Sequence, residues 1–359
     1  MAANSYNIAV VMVPFPEYGH LTPLLHLSRL ISSYDIPVHY VSVGARNQEL
    51  KLRLQGWNLD QFPNIQFHDI GNFEVEEDNL SYVAFFDLLG ESLCEICRTI
   101  SRTCRRVVII HDSLVLQVVQ GVNSIPNVEA YIFHAISAFA VYSLIHQIST
   151  DDNNNNNNNN NDMNGLFFPL QAHIPSIQSC YPQEMLEFMK IMRDWTFKSG
   201  EIFNTCRDIE GLYLDALAKQ SEKPVWGLGP FNPVHIHNEE YSASPRILSH
   251  RCIEWLDKQP KNSVIYVSFG TASTFSPEQI IELALGLERS EQKFIWVLRE
   301  ADKKGKCFTT DVPKIELPTG FEERVAERGI IARDFVPQME ILAHPSTGGY
   351  LFHSGWNSS

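Results

Sequence analysis

The sequence predicts an α/β protein built from doubly wound parallel sheets, and three observations predict it. Short, unbroken apolar runs recur along the chain, as expected of parallel strands covered on both faces. Segments with helical spacing of apolar residues lie between them. The rhythm of strand and helix stops in a polar stretch around His235 to Pro245 and then restarts, which divides the 359 residues into two domains.

Taken in order, Ile8 to Val13 reads as the first strand. The turn PFPEYG follows, and HLTPLLHLSRLISS then places Leu21, Leu24, Leu25 and Ile31 at helical spacing. Pro23 is expected in the first turn of that helix, where a missing N–H is tolerated. Val38 to Val43, Val107 to Ile110 and Val128 to Phe133 read as further strands. Nine consecutive asparagines, Asn153 to Asn161, bury no apolar area, so 151–164 reads as a disordered insertion. Leu166 to Tyr213 reads as mostly helical; its Met185, Phe188, Met189, Met192 and Trp195 are either core or the lining of an apolar pocket. Pro224 to Leu228 is strand-like. The expected domains are therefore 1–234 and 251–359, joined by a linker over 235–250.

In the second domain Ser263 to Phe269 is a strand, Gly270-Thr271 a turn, and Pro277 to Arg289 a helix with Ile280, Ile281, Ala284 and Leu287 on one face. Lys293 to Leu298, Gly329 to Ala332 and Gly349 to Phe352 are strands, with a short helix from Gln338 to Leu342. The chain ends at Ser359, so a second sheet of ordinary size is expected to lack its closing strands.

Composition removes several function classes. A formal net charge of −14 argues against nonspecific binding to nucleic acid or an anionic membrane surface. The N-terminus has no basic region and its apolar run is short, so it reads as a buried strand rather than a signal peptide, and no stretch approaches membrane-spanning length. Seven cysteines without framework spacing, including the isolated Cys94-x-x-Cys97, read as thiols in a reducing compartment. A cytoplasmic protein that binds no membrane is expected.

Two constellations carry chemistry. His20 lies just past the first strand at a helix start, and Asp112 follows another strand end. Open α/β sheets bind ligands outside the carboxyl ends of their strands. The helix dipole disfavours an imidazolium at His20, which suits a general base, and Asp112 has the chemistry to orient it. The alternative is two caps: His20 closing a turn and Asp112 starting a helix. The second constellation is FVPQMEILAHPSTGGYLFHSGWNSS. A strand ends at His353, Gly355 permits close backbone approach, and Asn357 and Ser358 fall where a helix begins, an arrangement that holds a diphosphate or is an ordinary turn. Phe335 and Gln338 lie one strand earlier, and Thr271 in SFGT has a hydroxyl to offer the same phosphates.

These residues resemble a known pattern. FVPQMEILAHPSTGGYLFHSGWNSS is similar to the first part of the signature box of plant family-1 UDP-glycosyltransferases, PFPEYGH to the segment bearing their catalytic His, and IIHDS to the segment bearing its Asp partner. FNTCRDIEG, WGLGPFNPV, CIEWLDKQPKNSVIYVSFGT and KFIWVLREADK look most like zeatin O-glucosyltransferases. The resemblance implies a GT-B fold, two Rossmann-like domains facing across a cleft, the second incomplete here. It implies a glycosyltransferase, a hexosyltransferase where the sugar is glucose, that moves glucose or xylose, with inversion, from UDP-glucose or UDP-xylose to a small hydroxylated acceptor such as zeatin. No metal or other cofactor is implied, and a monomer is expected. His20 and Asp112 would be catalytic; Gly19, Thr271, Phe335, Val336, Gln338, His353, Gly355, Trp356, Asn357 and Ser358 would bind the donor. Phe335 stands where the family has Trp and Ser354 where it has Cys, while the sugar-reading Asp-Gln pair has no counterpart before Ser359. The runner-up reading is therefore a non-catalytic remnant that binds a small molecule or a protein. A metal hydrolase lacks a His pair with a nearby carboxylate, and a dinucleotide oxidoreductase lacks G-x-G-x-x-G after the first strand.

Overall fold

A computed structural model describes residues 7–52, 62–70, 82–153, 176–180, 183, 186, 187, 190, 198–231, 250–270, 275–298, 316–334 and 336–358. Most of the Asn tract, residues 235–249 of the expected linker, the five Met, Phe and Trp positions between Met185 and Trp195, Thr271 and Phe335 lie outside them. The described residues gather into two compact units. One holds those of Met1–Gly44, Phe62–Gly71 and Tyr82–Asn232; the other holds those of Pro233–Ser359 with those of Ala45–Gln61.

The first unit is a parallel sheet of seven strands, β1 (Ile8–Val13), β2 (Val38–Val43), β3 (Ile65–Ile70), β4 (Arg106–Asp112), β5 (Val128–His134), β6 (Gly200–Phe203) and β7 (Val225–Gly227), in the order β3-β2-β1-β4-β5-β6-β7. Its helices are α1 (Tyr18–Ser32), α3 (Tyr82–Ser101), α4 (Leu116–Val119), α5 (Ala138–Asn153), α6 (Ile177–Cys180) and α7 (Arg207–Gln220), while α2 (Gly44–Leu52), all but its first residue, belongs to the other unit. The central strands are continuously apolar because both faces are covered. Val11, Met12 and Val13 have no exposed surface, and Leu89, Leu93 and Cys97 of α3 pack with Val107 and Ile109 in one cluster. At about 25 cal/mol per Å² of apolar area, such burial dominates the folding of this unit. Cys97 is sealed in the cluster, and burial pushes its thiol up to about 12.

Three expectations change here, and one strand, β3, was not expected. Helix α1 begins at Tyr18, so Pro23 is its sixth residue and falls in the second turn rather than the first. β6 interrupts the segment expected to be mostly helical; a four-residue strand in a polar context is too short to show alternation. β3 is an edge strand whose residues are largely half-exposed, and its sequence IQFHDI lacks the apolar signature of the central strands. Helix α5 runs to Asn153, so the first three residues of the expected insertion are helical.

The second unit has a parallel sheet of β8 (Val264–Ser268), β9 (Lys293–Val297), β10 (Gly329–Ala332) and β11 (Thr347–Phe352) in the order β10-β9-β8-β11. Its helices are α8 (Arg251–Leu256), α9 (Pro277–Arg289), α10 (Phe321–Val325) and α11 (Gln338–Ala343). The start of α9 is written locally: Ser276 and Gln279 form a reciprocal capping box with Pro277 behind it. Ile280, Ala284 and Leu287 are buried on β9's Phe294 and Trp296, whereas Ile281, expected on the same face, is 38% exposed.

Candidate active site and donor turn

In each sheet the strand order reverses at one place, between β1 and β4 in the first unit and between β8 and β11 in the second. Connections leave such a switch point in opposite directions and open a crevice at the strands' carboxyl ends. His20 and Asp112 fall at the first of these places, and His353 and Gly355 at the second.

In the first unit β1 and β4 pair in register from Ile8↔Arg106 to Val13↔His111. The loop after β1 then brings α1 above the end of β4. His20 is the third residue of α1, and its backbone N–H donates to the Glu17 carbonyl at 2.8 Å. Its Nδ1 lies 2.7 Å from Asp112 Oδ2. The other carboxylate oxygen of Asp112 accepts the Leu114 N–H at 2.9 Å, which caps a short 3-10 turn. Asp112 therefore is the cap that the sequence offered as an alternative, and with its second oxygen it also holds His20. The Phe15 ring meets the imidazole edge-on, 5.3 Å between centroids. His20 keeps 20% of its side chain exposed while Asp112 keeps none, so the imidazole is the group that meets a substrate.

The electrostatics of His20 differ from the sequence expectation. Burial disfavours the imidazolium, but the Asp112 carboxylate, through charge and hydrogen bond, and Glu17 outweigh it and raise the pKa above 6.5. A carboxylate in contact overcomes a helix dipole that amounts to half a charge. With Asp112 accepting from Nδ1–H, Nε2 carries the lone pair, as a general base requires.

Asp112's neighbour His111 points to the opposite sheet face, by strand alternation. It is fully buried, its Nδ1 is 3.0 Å from the Asp112 carbonyl, and its Nε2 has no partner among the described residues. Burial, first among its causes, lowers its pKa to about 4. On that same face the His134 ring stacks on Phe203 at 4.3 Å and donates from Nε2 to Glu201 at 2.8 Å, with Lys198 on the other Glu201 oxygen at 2.6 Å. His134 Nδ1 also lacks a partner among the described residues, so neither histidine is fully satisfied.

In the second unit β8 and β11 pair up to Phe352↔Ser268, which sets the turn after β8 beside the turn after β11. Gly270 has φ +74, and a Cβ built there would lie 2.8 Å from His353 Cε1. A Cβ on Gly355 would collide with His353 Nε2. The His353 ring thus occupies space that only two glycines leave. Ser354 between them has φ +54, and Trp356–Ser358 form a 3-10 turn. Gln338, at the start of α11, accepts from the Tyr266 hydroxyl at 3.3 Å and donates to the Tyr350 hydroxyl at 3.4 Å. The Tyr350 ring lies 4.4 Å from Phe352 in a stack that leads to His353. Val336 is 3% exposed in the core cluster, which leaves only its backbone to meet a ligand. Gly19 is exposed as the second residue of α1, in the first unit, apart in sequence and unit from the other donor candidates.

Sequence reasoning missed Gly270 as a shaper of His353, and it missed Tyr40, whose hydroxyl donates to the Leu21 carbonyl at 2.8 Å. A tyrosine inside an apolar strand was the available signal, because a buried hydroxyl demands a partner. Among the described residues no group of three or more His, Cys, Asp or Glu is arranged to hold a metal ion, and no helix is long and apolar enough to cross a membrane.

The chain matches two family models: "Glycosyltransferase, N-terminal domain" over residues 6–233 and "UDP-glucoronosyl and UDP-glucosyl transferase" over residues 238–359. It is 40% identical to a zeatin O-xylosyltransferase of Phaseolus vulgaris, covering 100% of this chain and 78% of the relative. It is 39% identical to a zeatin O-glucosyltransferase of Phaseolus lunatus, covering 98% and 75%. Among solved structures it is similar to a UGT transferase of Siraitia grosvenorii in complex with UDP, with TM-score 0.69, 24% identity, and 98% and 76% of the two chains covered. It is likewise similar to Phytolacca americana UGT2 complexed with UDP-2fluoro-glucose and pterostilbene, with TM-score 0.70, 23% identity, and 98% and 77% covered. These likenesses show the GT-B fold.

Proposed function

This chain belongs to the plant family-1 UDP-glycosyltransferases, and from that premise we propose that it transfers glucose or xylose from a UDP-sugar to the side-chain hydroxyl of a zeatin-type cytokinin. The observation that carries the catalytic assignment is the 2.7 Å contact between His20 Nδ1 and a fully buried Asp112. Nε2 of His20 takes the proton of the acceptor hydroxyl. The oxygen attacks the anomeric carbon as the bond to UDP breaks, and the configuration inverts. Asp112 stabilises the imidazolium formed in that step. UDP leaves with its charge held by His353, Asn357, Ser358 and backbone N–H groups of the turn after β11, without a metal. Thr271 adds a hydroxyl to the phosphates, Phe335 and Gln338 meet the uracil and ribose, Trp356 and Gly355 shape the phosphate pocket, and Gly19 and Val336 contribute backbone. Two relatives at 39% and 40% identity, named for glucosyl and xylosyl transfer to zeatin, support the acceptor class and leave both sugars in play. The alternative of a non-catalytic binding protein has no observation in its favour. The five cysteines that are free among the described residues support a cytoplasmic location, and the net charge of −14 favours a monomer.

The test is to incubate the purified chain with trans-zeatin, cis-zeatin or dihydrozeatin and either UDP-glucose or UDP-xylose, and to resolve products by mass. A zeatin O-glycoside that disappears in His20→Ala is the expected result. Turnover of another hydroxylated acceptor with none of zeatin would overturn the acceptor assignment. A product whose rate His20→Ala leaves unchanged would overturn the mechanism.

A further inference from the structure

The first turn of α1 must hold His20 in register with Asp112, yet its own hydrogen-bond ladder is interrupted. Pro23 lies inside the helix and has no N–H to offer the carbonyl four residues back, at Gly19. Two residues further on, the Leu21 carbonyl accepts the Tyr40 hydroxyl at 2.8 Å. A carbonyl has two lone pairs, so this bond adds to a helical rung rather than replacing one. Tyr40 has no exposed surface and sits in the middle of β2. Its strand partner is Met12, whose partner on the other side is Ile110; Asp112 lies two residues beyond Ile110 and therefore on the same sheet face. The turn bearing His20 is thus tied to the sheet at two points on one face, at Asp112 on β4 and at Tyr40 on β2.

We propose that Tyr40 is a positioning residue for the His20–Asp112 pair, its hydroxyl anchoring the α1 turn from which the imidazole projects. The inference rests on His20 being the base, as assigned above. Loss of the hydroxyl removes the tie of this turn to β2, so the imidazole drifts relative to its carboxylate and to the acceptor oxygen. Small displacements of a catalytic group are expensive in rate, on the order of a hundredfold for an ångström.

The experiment compares Tyr40→Phe with Ser28→Ala in the full chain. Ser28 is a fair control: it is equally buried and its hydroxyl bonds the Leu24 carbonyl of the same helix at 2.7 Å, one turn beyond the first contact. The groups that face His20 are Asp112 on β4 and Glu17 before α1, and both hold its pKa up. Tyr40→Phe is expected to lower kcat about tenfold with KM for the UDP-sugar unchanged. It should also move the His20 titration, read by imidazole NMR, to lower pH. Ser28→Ala should lower Tm by a similar amount and move neither kcat nor the titration. Wild-type kcat and titration in Tyr40→Phe would overturn the proposal. So would equal losses of kcat in both variants, which would mark general destabilisation. The NMR titration needs no acceptor, so it decides the positioning role even if the zeatin reading fails.

Discussion

For His20 the decisive quantity is the balance between burial and a carboxylate 2.7 Å away, and the carboxylate wins. The sign of the consequence follows. A base must be neutral to accept a proton, so kcat/KM should rise with pH and level off only above His20's raised pKa, beyond the 6.5 of an ordinary histidine. In Asp112→Asn that limb should shift to lower pH while the plateau falls about a thousandfold, because the tautomer is no longer fixed. A pH–rate series on both proteins checks this; an unmoved limb in the variant would mean another group titrates. PFPEYGH and IIHDS made both residues candidates from the chain alone. Their meeting was not legible there, because 92 residues separate them and only strand pairing joins them.

At the scale of elements, the turn after β8 and the turn after β11 work as one unit. Gly270 at φ +74 leaves room for the His353 ring, and Gly355 leaves room on its other side. A methyl group on Gly270 brings both a strained backbone and a contact of 2.8 Å to the imidazole. Gly270→Ala is therefore expected to weaken UDP binding about tenfold by calorimetry, with β8 and β11 intact by circular dichroism. Affinity equal to wild type would show that His353 does not touch the diphosphate. Strands such as β1 and β8 were visible as apolar runs because both their faces are buried. β3, at the sheet edge, and β6, only four residues long, carry no such pattern and appeared only with their neighbours in place.

For the whole molecule, buried titratable groups set the acid limit of stability. His26, His39 and His111 are each lowered to about 4, in every case with burial as the leading cause. Between pH 6.5 and 4 the unfolded chain binds more protons than the folded one, so stability present above 6.5 is lost as pH falls. Glu201 acts lower. Burial would raise it, but His134 and Lys198 pull it down to about 2, so its contribution is present above 4.5 and lost towards 2. Thermal melting should show Tm of the first unit falling steadily from pH 7 to pH 4. Glu201→Gln should lower Tm at pH 7 by several degrees, because it leaves His134 and Lys198 with a neutral partner. A flat Tm from pH 7 to 4.5 would contradict the histidine assignment. Nothing in spacing announced Glu201, which reaches His134 across 67 residues.

What the amino-acid sequence by itself determined is the class and the chemistry on offer: alternating strands and helices, two domains, a base candidate at His20, and a glycine-flanked turn at His353. These are local properties, written in hydrophobic period and in short stretches of backbone with special demands. What only the tertiary structure decided is which of these groups act together. The strand orders β2-β1-β4 and β9-β8-β11 place His20 with Asp112 and Tyr40, and Gly270 with His353. The physical reason is that pairing in a parallel sheet joins strands distant along the chain, so the partners of a residue, and with them its protonation state, are set by sheet order rather than by spacing.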